Sequence, residues 1–367
     1  MKFSYLQKNP DLAATAGAFC MTLLLVPFEP LSMLRSINFP LLGLLFCLMS
    51  IVAGLRKSGL LAAGYQRFLH GAVSSRSAGR FFIFSCFFSS MLVTNDVALI
   101  IFVPLAILTL TECRAIRLII PVITWQTIAA NMGSMLTPVG NPQNLFIYSY
   151  YQMGVWDFLM ITGPVTILSG IIIFLATYSL PQKQLKLQVQ GETHLPKGKI
   201  LILLILFTLC LLNVLRIVPS GWMMASVTLA ISFLDRSLFR EVDYKLLLLF
   251  VFLFLTVNNL TRIELLSQWA EEMLTGHVFL ISLVFSQFLS NVPTTVMLAP
   301  YVQDPKPLLL GVNIGGLGTV IASMASMISL KAYLGMRHPF LRWYLTVFTG
   351  ANLLLLAILL VFCRAVI

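Results

Sequence analysis

Long apolar segments alternate with short polar, mostly basic segments along the chain. We interpret nine of the apolar segments as membrane-spanning helices, because a helix of about 20 apolar residues crosses the hydrocarbon core of a bilayer. The predicted spans are residues 13–28, 39–55, 116–137, 158–180, 200–218, 222–234, 246–260, 308–330 and 341–362. This pattern predicts an all-α polytopic membrane protein whose surroundings are the lipid bilayer.

Two further apolar stretches, residues 81–111 and 278–302, are interrupted by polar residues. The interruptions are Thr94-Asn95-Asp96 in the first stretch and Ser290-Asn291 in the second. At about 1.5 Å per helical residue, the arms on each side are about 20 Å long or shorter, less than the hydrocarbon core of about 30 Å. We therefore predict two re-entrant hairpins, with tips that lie within the membrane against protein or a water-filled cavity.

Two of the predicted spans lose helical character along their length. Residues 131–142 contain two glycines and two prolines among hydroxyl and amide side chains, and residues 311–319 are rich in glycine. Neither composition continues a regular helix. A broken helix in a membrane releases backbone carbonyls that can coordinate a cation.

The composition agrees with a membrane protein and excludes other classes. Hydrophobic residues make up 59% of the 367 residues and charged residues only 10%, which excludes an ordinary soluble domain. Basic cytoplasmic loops account for the net charge of +11, so it implies no nucleic-acid partner. The six cysteines are scattered, and the sequence has neither a metal-ligand spacing nor a Ser/His/Asp constellation. We expect no transition metal and no enzymatic activity.

The basic residues also test the hairpins, because lysine and arginine concentrate in cytoplasmic loops. Most of the 24 basic residues fall on one side of the membrane if both hairpins are re-entrant, whereas they divide evenly if each hairpin crosses once. We therefore predict nine spans in the cell (inner or plasma) membrane, a cytoplasmic N-terminus and an external C-terminus. The first hairpin then enters from the cytoplasm and the second from outside.

The order of these features recurs, which predicts two inverted repeats. Residues 44–61 align with residues 248–266, and each segment precedes an amphipathic stretch, a broken hairpin, a broken span and a closing span. Inverted repeats mark secondary transporters, whose sites lie where the broken segments meet. The predicted layout is an N-terminal helix in 1–36, repeat 1 in 37–180, a cytoplasmic linker in 181–199, connecting helices in 200–235 and repeat 2 in 236–367.

The candidate site residues are the polar side chains of the tips and breaks. Asp96, the single acid in the middle of an apolar stretch, is suited to bind a cation or carry a proton; the alternative is that it only caps a helix. Amides and hydroxyls offer hard oxygen ligands, although turn formation and tight packing also explain them. The coupling-ion or proton set is Thr94, Asn95, Asp96, Gly133, Ser134, Thr137 and Asn141. The substrate set is Asn95, Asn144, Ser290, Asn291, Thr294, Thr295, Asn313, Gly315, Gly318 and Thr319, with Ser323 completing the second break.

These motifs resemble the ion transporter superfamily, which includes arsenite permeases, dicarboxylate/sulfate symporters, citrate transporters and D-type sodium/proton antiporters. TNDVALIIFVPL (94–105) looks like the arsenite-permease hairpin, and SNVPTTVML (290–298) looks like its second hairpin. NMGSMLTPVGNPQNL (131–145) is similar to a segment of citrate-transporter-like permeases. The resemblance implies a scaffold domain and a transport domain that bears both hairpins and moves as an elevator. In the dicarboxylate branch it also implies a homodimer and sodium coupling.

The tips depart from the dicarboxylate branch, which carries Ser-Asn-Thr at both positions, whereas this chain has Thr-Asn-Asp and Ser-Asn-Val. The difference leaves room for proton coupling through Asp96. We expect a secondary active transporter for a small inorganic or organic anion or oxyanion, coupled to sodium or protons and without a cofactor. Two alternatives stay open: a sodium/proton antiporter, and an arsenite or antimonite efflux permease with a neutral hydroxide as substrate.

Overall fold

The structure, a computed structural model, describes residues 10–59, 71–187, 197–337 and 339–366, most of which are helical. The helices are α1 (Pro10–Leu25), α2 (Pro30–Ser36), α3 (Phe39–Lys57), α4 (Ser75–Val93), α5 (Asn95–Glu112), α6 (Ile119–Ser134), α7 (Pro142–Tyr150), α8 (Val155–Ala176), α9 (Lys197–Val214), α10 (Ser220–Leu234), α11 (Tyr244–Leu260), α12 (Glu264–Leu274), α13 (Val278–Leu289), α14 (Asn291–Leu298), α15 (Pro305–Ile314), α16 (Met324–Leu334) and α17 (Leu341–Val366). Residues 1–9 of the predicted N-terminal segment and 188–196 of the predicted linker lie outside the described residues.

The described ranges are almost entirely helical, as predicted, apart from one pair of short strands. β1 (Gly71–Ser74) pairs antiparallel with β2 (Gln184–Leu187). The Ser75 hydroxyl continues this contact by donating to the Pro181 carbonyl and accepting from the Lys183 N–H. These bonds attach the first part of the predicted linker to the start of α4.

Five helices of the described chain are long and apolar enough to cross a membrane by length and composition. They are Phe39–Lys57, Asn95–Glu112, Val155–Ser179, Lys197–Val214 and Leu341–Ala365. Tyr244–Leu260 and Glu264–Leu274, which meet at 104°, add a sixth if they are counted together. Four of these five are predicted spans, whereas Asn95–Glu112 is an arm of the predicted first hairpin. Of the other five predicted spans, two are broken, two are shorter helices and residues 246–260 belong to the bent pair, so the full set of nine stays a prediction.

The arms of the first hairpin are longer than predicted. α4 begins at Ser75 rather than at residue 81, because the Ser74 side chain caps the helix by accepting from the Ser77 N–H. α4 and α5 contain 19 and 18 residues, so they are about 28 and 27 Å long. The prediction of arms near 20 Å is therefore wrong here, and arm length alone does not distinguish a re-entrant hairpin from two spans.

Contacts made by Gln126 show that α4 and α5 fold back on each other. The Gln126 side chain on α6 donates to Cys86 Sγ at 3.5 Å and to the Phe102 carbonyl at 3.0 Å. Cys86 precedes Thr94 by eight residues and Phe102 follows it by eight. The two arms therefore lie side by side at this level, as in a helical hairpin.

The chain divides into two compact units. Unit 1 consists of Met1–Ser58, Pro196–Val278 and Thr295–Gln303, and unit 2 consists of Gly59–Leu195, Phe279–Thr294 and Asp304–Ile367. In unit 1, α1 packs on α11, and α3 packs on α9 and α10. In unit 2, the buried helix α6 is central and contacts α4, α5, α8 and α17. Both hairpin tips and both breaks belong to unit 2.

Candidate substrate and ion site

Each hairpin turns at a single residue with a left-handed backbone. Thr94 has a φ of 75° and Ser290 a φ of 70°. A residue with a side chain pays about 1–3 kcal/mol for a sparsely populated conformation of this kind, which persists only where its surroundings hold it. Asn95 and Asn291 follow directly and begin α5 and α14. Asp96 lies in the first turn of α5 and is half-buried.

The two breaks are built alike. Asn131 lies near the end of α6, and Asn313 lies near the end of α15. Ten residues after each asparagine stands the residue that caps the next helix, Asn141 for α7 and Ser323 for α16. Asn141 Oδ1 accepts from a backbone N–H at 2.9 Å, and Ser323 Oγ accepts from one at 3.2 Å. The caps supply acceptors for the otherwise unsatisfied N–H groups of the new helices.

The breaks are bonded to each other reciprocally. Asn141 Nδ2 donates to Asn313 Oδ1 at 3.1 Å, and Ser323 Oγ donates to Asn131 Oδ1 at 3.1 Å. The cap residue of each break thus bonds to the asparagine of the other. Asn95 Nδ2, at the first hairpin tip, also donates to Asn131 Oδ1 at 3.2 Å. These five side chains are all buried and uncharged, and we call them the asparagine network.

A threonine ties each break to its own hairpin. Thr137 Oγ1 donates to the Met91 carbonyl, and Thr319 Oγ1 donates to the Gln287 carbonyl at 3.1 Å. Met91 and Gln287 each precede the tip residue of their hairpin by three positions. The same contact therefore occurs in both halves of the chain.

A glycine in each break allows close approach to the hairpin. A Cβ on Gly133 would lie 2.7 Å from Ser90 Oγ and 2.1 Å from the carbonyl oxygen of Phe87. A Cβ on Gly315 would lie 2.8 Å from Ser286 Cβ. Ser90 and Ser286 each precede the hairpin tip by four positions, so these contacts also match. Steric contact with the hairpin accounts for both glycines.

The backbone carbonyls of the two breaks are satisfied by different amides. Asn144 Nδ2 donates to carbonyls of the first break, and Gln287 Nε2 donates to carbonyls of the second. The acceptors are the carbonyls of Ser134, Met135 and Thr137 at 3.2–3.3 Å for Asn144, and those of Gly315 and Leu317 at 2.6 and 2.8 Å for Gln287. Gln287 is absent from the predicted site; its signal is that it is the one amide in the apolar segment 278–289.

The structure joins the two predicted residue sets. Asn141, predicted for the coupling ion, bonds to Asn313, predicted for the substrate, and Asn313 Nδ2 donates to Asn144 Oδ1 at 2.7 Å. The amide of Asn291 is assigned so that its Nδ2 faces the carbonyl oxygens of Val312 and Ala322. In this orientation it donates to them at 3.2 and 2.9 Å. Thr295 falls in the part of the chain that belongs to unit 1. Gly318 takes a φ of 111° beside Gln287.

Three buried oxygens near the tips and breaks have no hydrogen-bond partner within the described part of the chain. They are Asn95 Oδ1, Thr294 Oγ1 and Ser326 Oγ. Buried polar atoms are normally hydrogen-bonded, so these three oxygens are candidate ligands for a bound ion. Hard oxygens of this type suit an alkali cation, as they suit calcium and magnesium. No three His, Cys, Asp or Glu side chains come together among the residues described.

Comparison with known proteins places these features in a family. The family model described as citrate transporter matches residues 5–325, in agreement with the resemblance found in the sequence. The uncharacterized transporter MJ0456 of Methanocaldococcus jannaschii is 32% identical over 318 residues, 85% of this chain and 86% of that protein. The inner membrane protein YbiR of Escherichia coli is 29% identical over 83% of this chain and 83% of that protein. The silicon efflux transporter LSI3 of Oryza sativa subsp. japonica is 32% identical over 158 residues, 41% of this chain and 31% of that protein.

Proposed function

We propose a specific activity for this chain, which belongs to the citrate transporter family: secondary active transport of a small anion or oxyanion, coupled to sodium ions or protons. The chain is a multi-pass membrane protein and a transporter rather than an enzyme. Substrate class and coupling ion are inferred from the chemistry of unit 2.

The main support for the proposal is that four helices begin beside one cluster of uncharged side chains. α5 and α14 begin at Asn95 and Asn291, and α7 and α16 begin directly after Asn141 and Ser323. Asn95, Asn141 and Ser323 belong to the asparagine network. Asn291 donates to backbone carbonyls of the residues that precede Asn313 and Ser323. Helix N-termini carry partial positive charge, which favours a bound anion without a basic side chain.

The unpartnered oxygens support a coupling cation at the same place. Asn95 Oδ1 and Thr294 Oγ1 are acceptors, one at each hairpin. Asp96, in the first turn of α5, supplies the negative charge that would either attract sodium or take up a proton. A cation bound here would also offset the charge of an anionic substrate.

Matched contacts support the two-repeat architecture. In each half, a left-handed tip residue, a threonine-to-hairpin bond and a glycine against a hairpin serine recur at equivalent positions. We infer an inverted pair of repeats with nine spans, in the inner or plasma membrane with a cytoplasmic N-terminus. Unit 2, which holds both tips and both breaks, is then the transport domain of an elevator, and unit 1 is the scaffold. We also infer a homodimer, which the resemblance to the dicarboxylate branch implies.

A second candidate function is efflux of a small neutral hydroxide. One relative is named a silicon efflux transporter, and it matches 41% of this chain. The asparagine network is itself uncharged, and neutral amides bind hydroxyl groups without any need for a counter-charge. This candidate differs from the first in the charge of the substrate and in the direction of transport.

The test is transport by the purified protein in proteoliposomes under imposed sodium, proton and voltage gradients. Citrate, succinate, sulfate, phosphate, arsenite and silicic acid are offered separately. We expect accumulation of at least one anion that depends on a sodium or proton gradient. Movement of arsenite or silicic acid alone favours the second candidate, and sodium/proton exchange without substrate identifies an antiporter. Absence of gradient-driven flux under every condition contradicts the proposal.

The role of Asp96 is tested by Asp96→Asn, with Asp157→Asn as a matched control. Asp157 is also an acid in the first turn of a helix, α8, but its side chain is exposed. We expect Asp96→Asn to abolish proton-driven flux and Asp157→Asn to leave it unchanged. Equal flux in the two variants would exclude Asp96 as the proton carrier.

A further inference from the structure

The guanidinium of Arg80, in the first half of α4, is fixed at the end of α8, away from the asparagine network. Its Nε donates to Thr177 Oγ1 at 2.7 Å. Its Cζ lies 4.5 Å from the centroid of the Phe174 ring and 4.5 Å from that of the Tyr178 ring. Cation–π attraction to two rings and one hydrogen bond therefore hold the guanidinium in a defined orientation.

This guanidinium lacks a counter-charge within the described residues. Its Nη2 is buried and has no hydrogen-bond acceptor, and none of the ion pairs in the described ranges includes Arg80. Arg76 adds a second positive charge 5.6 Å from the Tyr178 ring. Arg76 itself donates to the carbonyls of Leu180 and Tyr178, both at 3.0 Å. Charged groups that lose contact with water are normally paired, so the half-buried Arg80, with its buried Nη2, favours binding of an anion.

An exposed apolar strip leads away from Arg80 along α8. Its members recur at helical spacing and are 40–65% exposed: Ile167, Ile171, Phe174, Leu175 and Tyr178. The strip is about 16 Å long at the helical rise of about 1.5 Å per residue. On α4, the ring of Phe84 lies 6.2 Å from that of Phe174 and 5.9 Å from that of the exposed Phe88. Apolar surface thus continues on both helices beside the buried charge.

We propose that Arg80 binds the phosphate of an anionic phospholipid whose acyl chain lies along this strip. A guanidinium donates to phosphate oxygens in a fixed planar geometry, and Arg80 as a whole is only half-buried. A membrane protein exposes such a strip to acyl chains, and a cation at its end matches the amphipathic shape of a phospholipid. Neither Arg76 nor Arg80 forms an ion pair with another described residue, and two such guanidinium groups favour an anionic headgroup over a zwitterionic one. The proposal requires only the membrane location, not the proposed substrate or coupling ion.

The first test follows unfolding of the intact protein in mixed micelles. Phosphatidylglycerol, phosphatidylcholine and inorganic phosphate are titrated separately. We expect phosphatidylglycerol to raise the unfolding midpoint at lower concentration than phosphatidylcholine does. Arg80→Gln should weaken the effect of phosphatidylglycerol about tenfold, since charge-assisted bonds to the phosphate are lost. Arg117→Gln, which removes an exposed charge from the same unit, should not change it.

Three results would overturn the lipid assignment. One is equal stabilisation by the two lipids, and another is unchanged binding of phosphatidylglycerol by Arg80→Gln. The third is that inorganic phosphate alone reproduces the effect through Arg80, which would make this a site for free phosphate.

A second test needs no substitution and stands even if Arg80→Gln fails to fold. Wild-type protein is cross-linked to phosphatidylglycerol that carries a photoactivatable acyl chain, and the labelled peptides are mapped by mass spectrometry. We expect labelling of the strip on α8 and of Phe84 or Phe88 on α4. Labelling confined to other helices contradicts the proposal.

Discussion

Replacing Asn313 with alanine removes a residue through which the two breaks are bonded. Asn313 is 3% exposed and takes part in three hydrogen bonds. It accepts from Asn141 Nδ2 at 3.1 Å, and it donates to Asn144 Oδ1 at 2.7 Å and to the Leu309 carbonyl at 2.8 Å. Alanine abolishes all three bonds and leaves Asn144 Oδ1 buried without this donor.

The expected loss in the free energy of unfolding is about 3–5 kcal/mol. Each neutral hydrogen bond contributes about 1 kcal/mol, and a buried acceptor left unsatisfied costs about 1–3 kcal/mol. Asn141 Nδ2 keeps its second acceptor, Ser134 Oγ at 3.2 Å, which limits the loss on that side. The Leu309 carbonyl belongs to the helical ladder and keeps its backbone environment. The estimate is therefore dominated by the pair formed by Asn313 and Asn144.

The matched control is Asn352→Ala, because Asn352 is a buried asparagine in the same unit that lies outside the asparagine network. Among the described residues, its Nδ2 donates to the Phe348 carbonyl of its own helix alone, at 2.8 Å. We expect a loss of about 1 kcal/mol for this variant. Denaturant unfolding in micelles, followed by tryptophan fluorescence, gives both values. An Asn313→Ala loss no larger than that of Asn352→Ala would refute the importance of the crossing bonds.

Three further outcomes are expected. Gly133→Ala should destabilise the protein by about 1–3 kcal/mol, because the new Cβ meets a backbone oxygen at 2.1 Å; Gly163→Ala, which meets nothing within 4 Å, should be neutral or stabilising in the same unfolding assay. Gln287→Leu should cost about 2–4 kcal/mol, since two carbonyls lose their donor; unchanged unfolding would mean that water replaces the amide. Hydrogen bonds from Ser237 and Lys57 lower the pKa of the Asp235 carboxyl from 3.8 to about 2. The contribution of Asp235 to the free energy of unfolding is therefore present above pH 3.8 and is lost as the pH falls through about 2. Asp235→Asn should remove this acid dependence of the unfolding midpoint.

The positions of the breaks follow from local chemistry and were therefore accessible from the sequence. Proline and glycine at 138, 140 and 142 cannot continue α6, and Asn141 has the side chain of a good helix cap. Polar residues such as Asn95 and Asn291 stand out because their neighbours are apolar. Each of these signals acts within a few residues, where backbone geometry and solvation decide the outcome.

The hydrogen-bond partners of these residues could not be predicted from the sequence, because packing between residues far apart in the chain determines them. Asn141 bonds to Asn313 although the two residues are 172 positions apart in the sequence. Nothing local distinguishes this pairing from one between Asn141 and Asn144.

The start of α4 differs from the prediction for another reason. A basic segment around Arg76 and Arg80 suggests a loop, whereas capping by Ser74 and contacts with aromatic rings keep it helical.

The asparagine network also bears on how the proposed transport domain moves. Asn95 Nδ2, Asn131 Oδ1 and Ser323 Oγ are joined by bonds of 3.1–3.2 Å, and hydrogen bonds weaken steeply once donor and acceptor separate beyond about 3.5 Å. A hairpin tip that shifted alone by about 1 Å would leave these buried groups unsatisfied, at a cost of about 1–3 kcal/mol for each group. Movement of unit 2 as one body keeps every one of these bonds. These bonds are therefore compatible with the proposed elevator, and they count against flexing of a single hairpin tip.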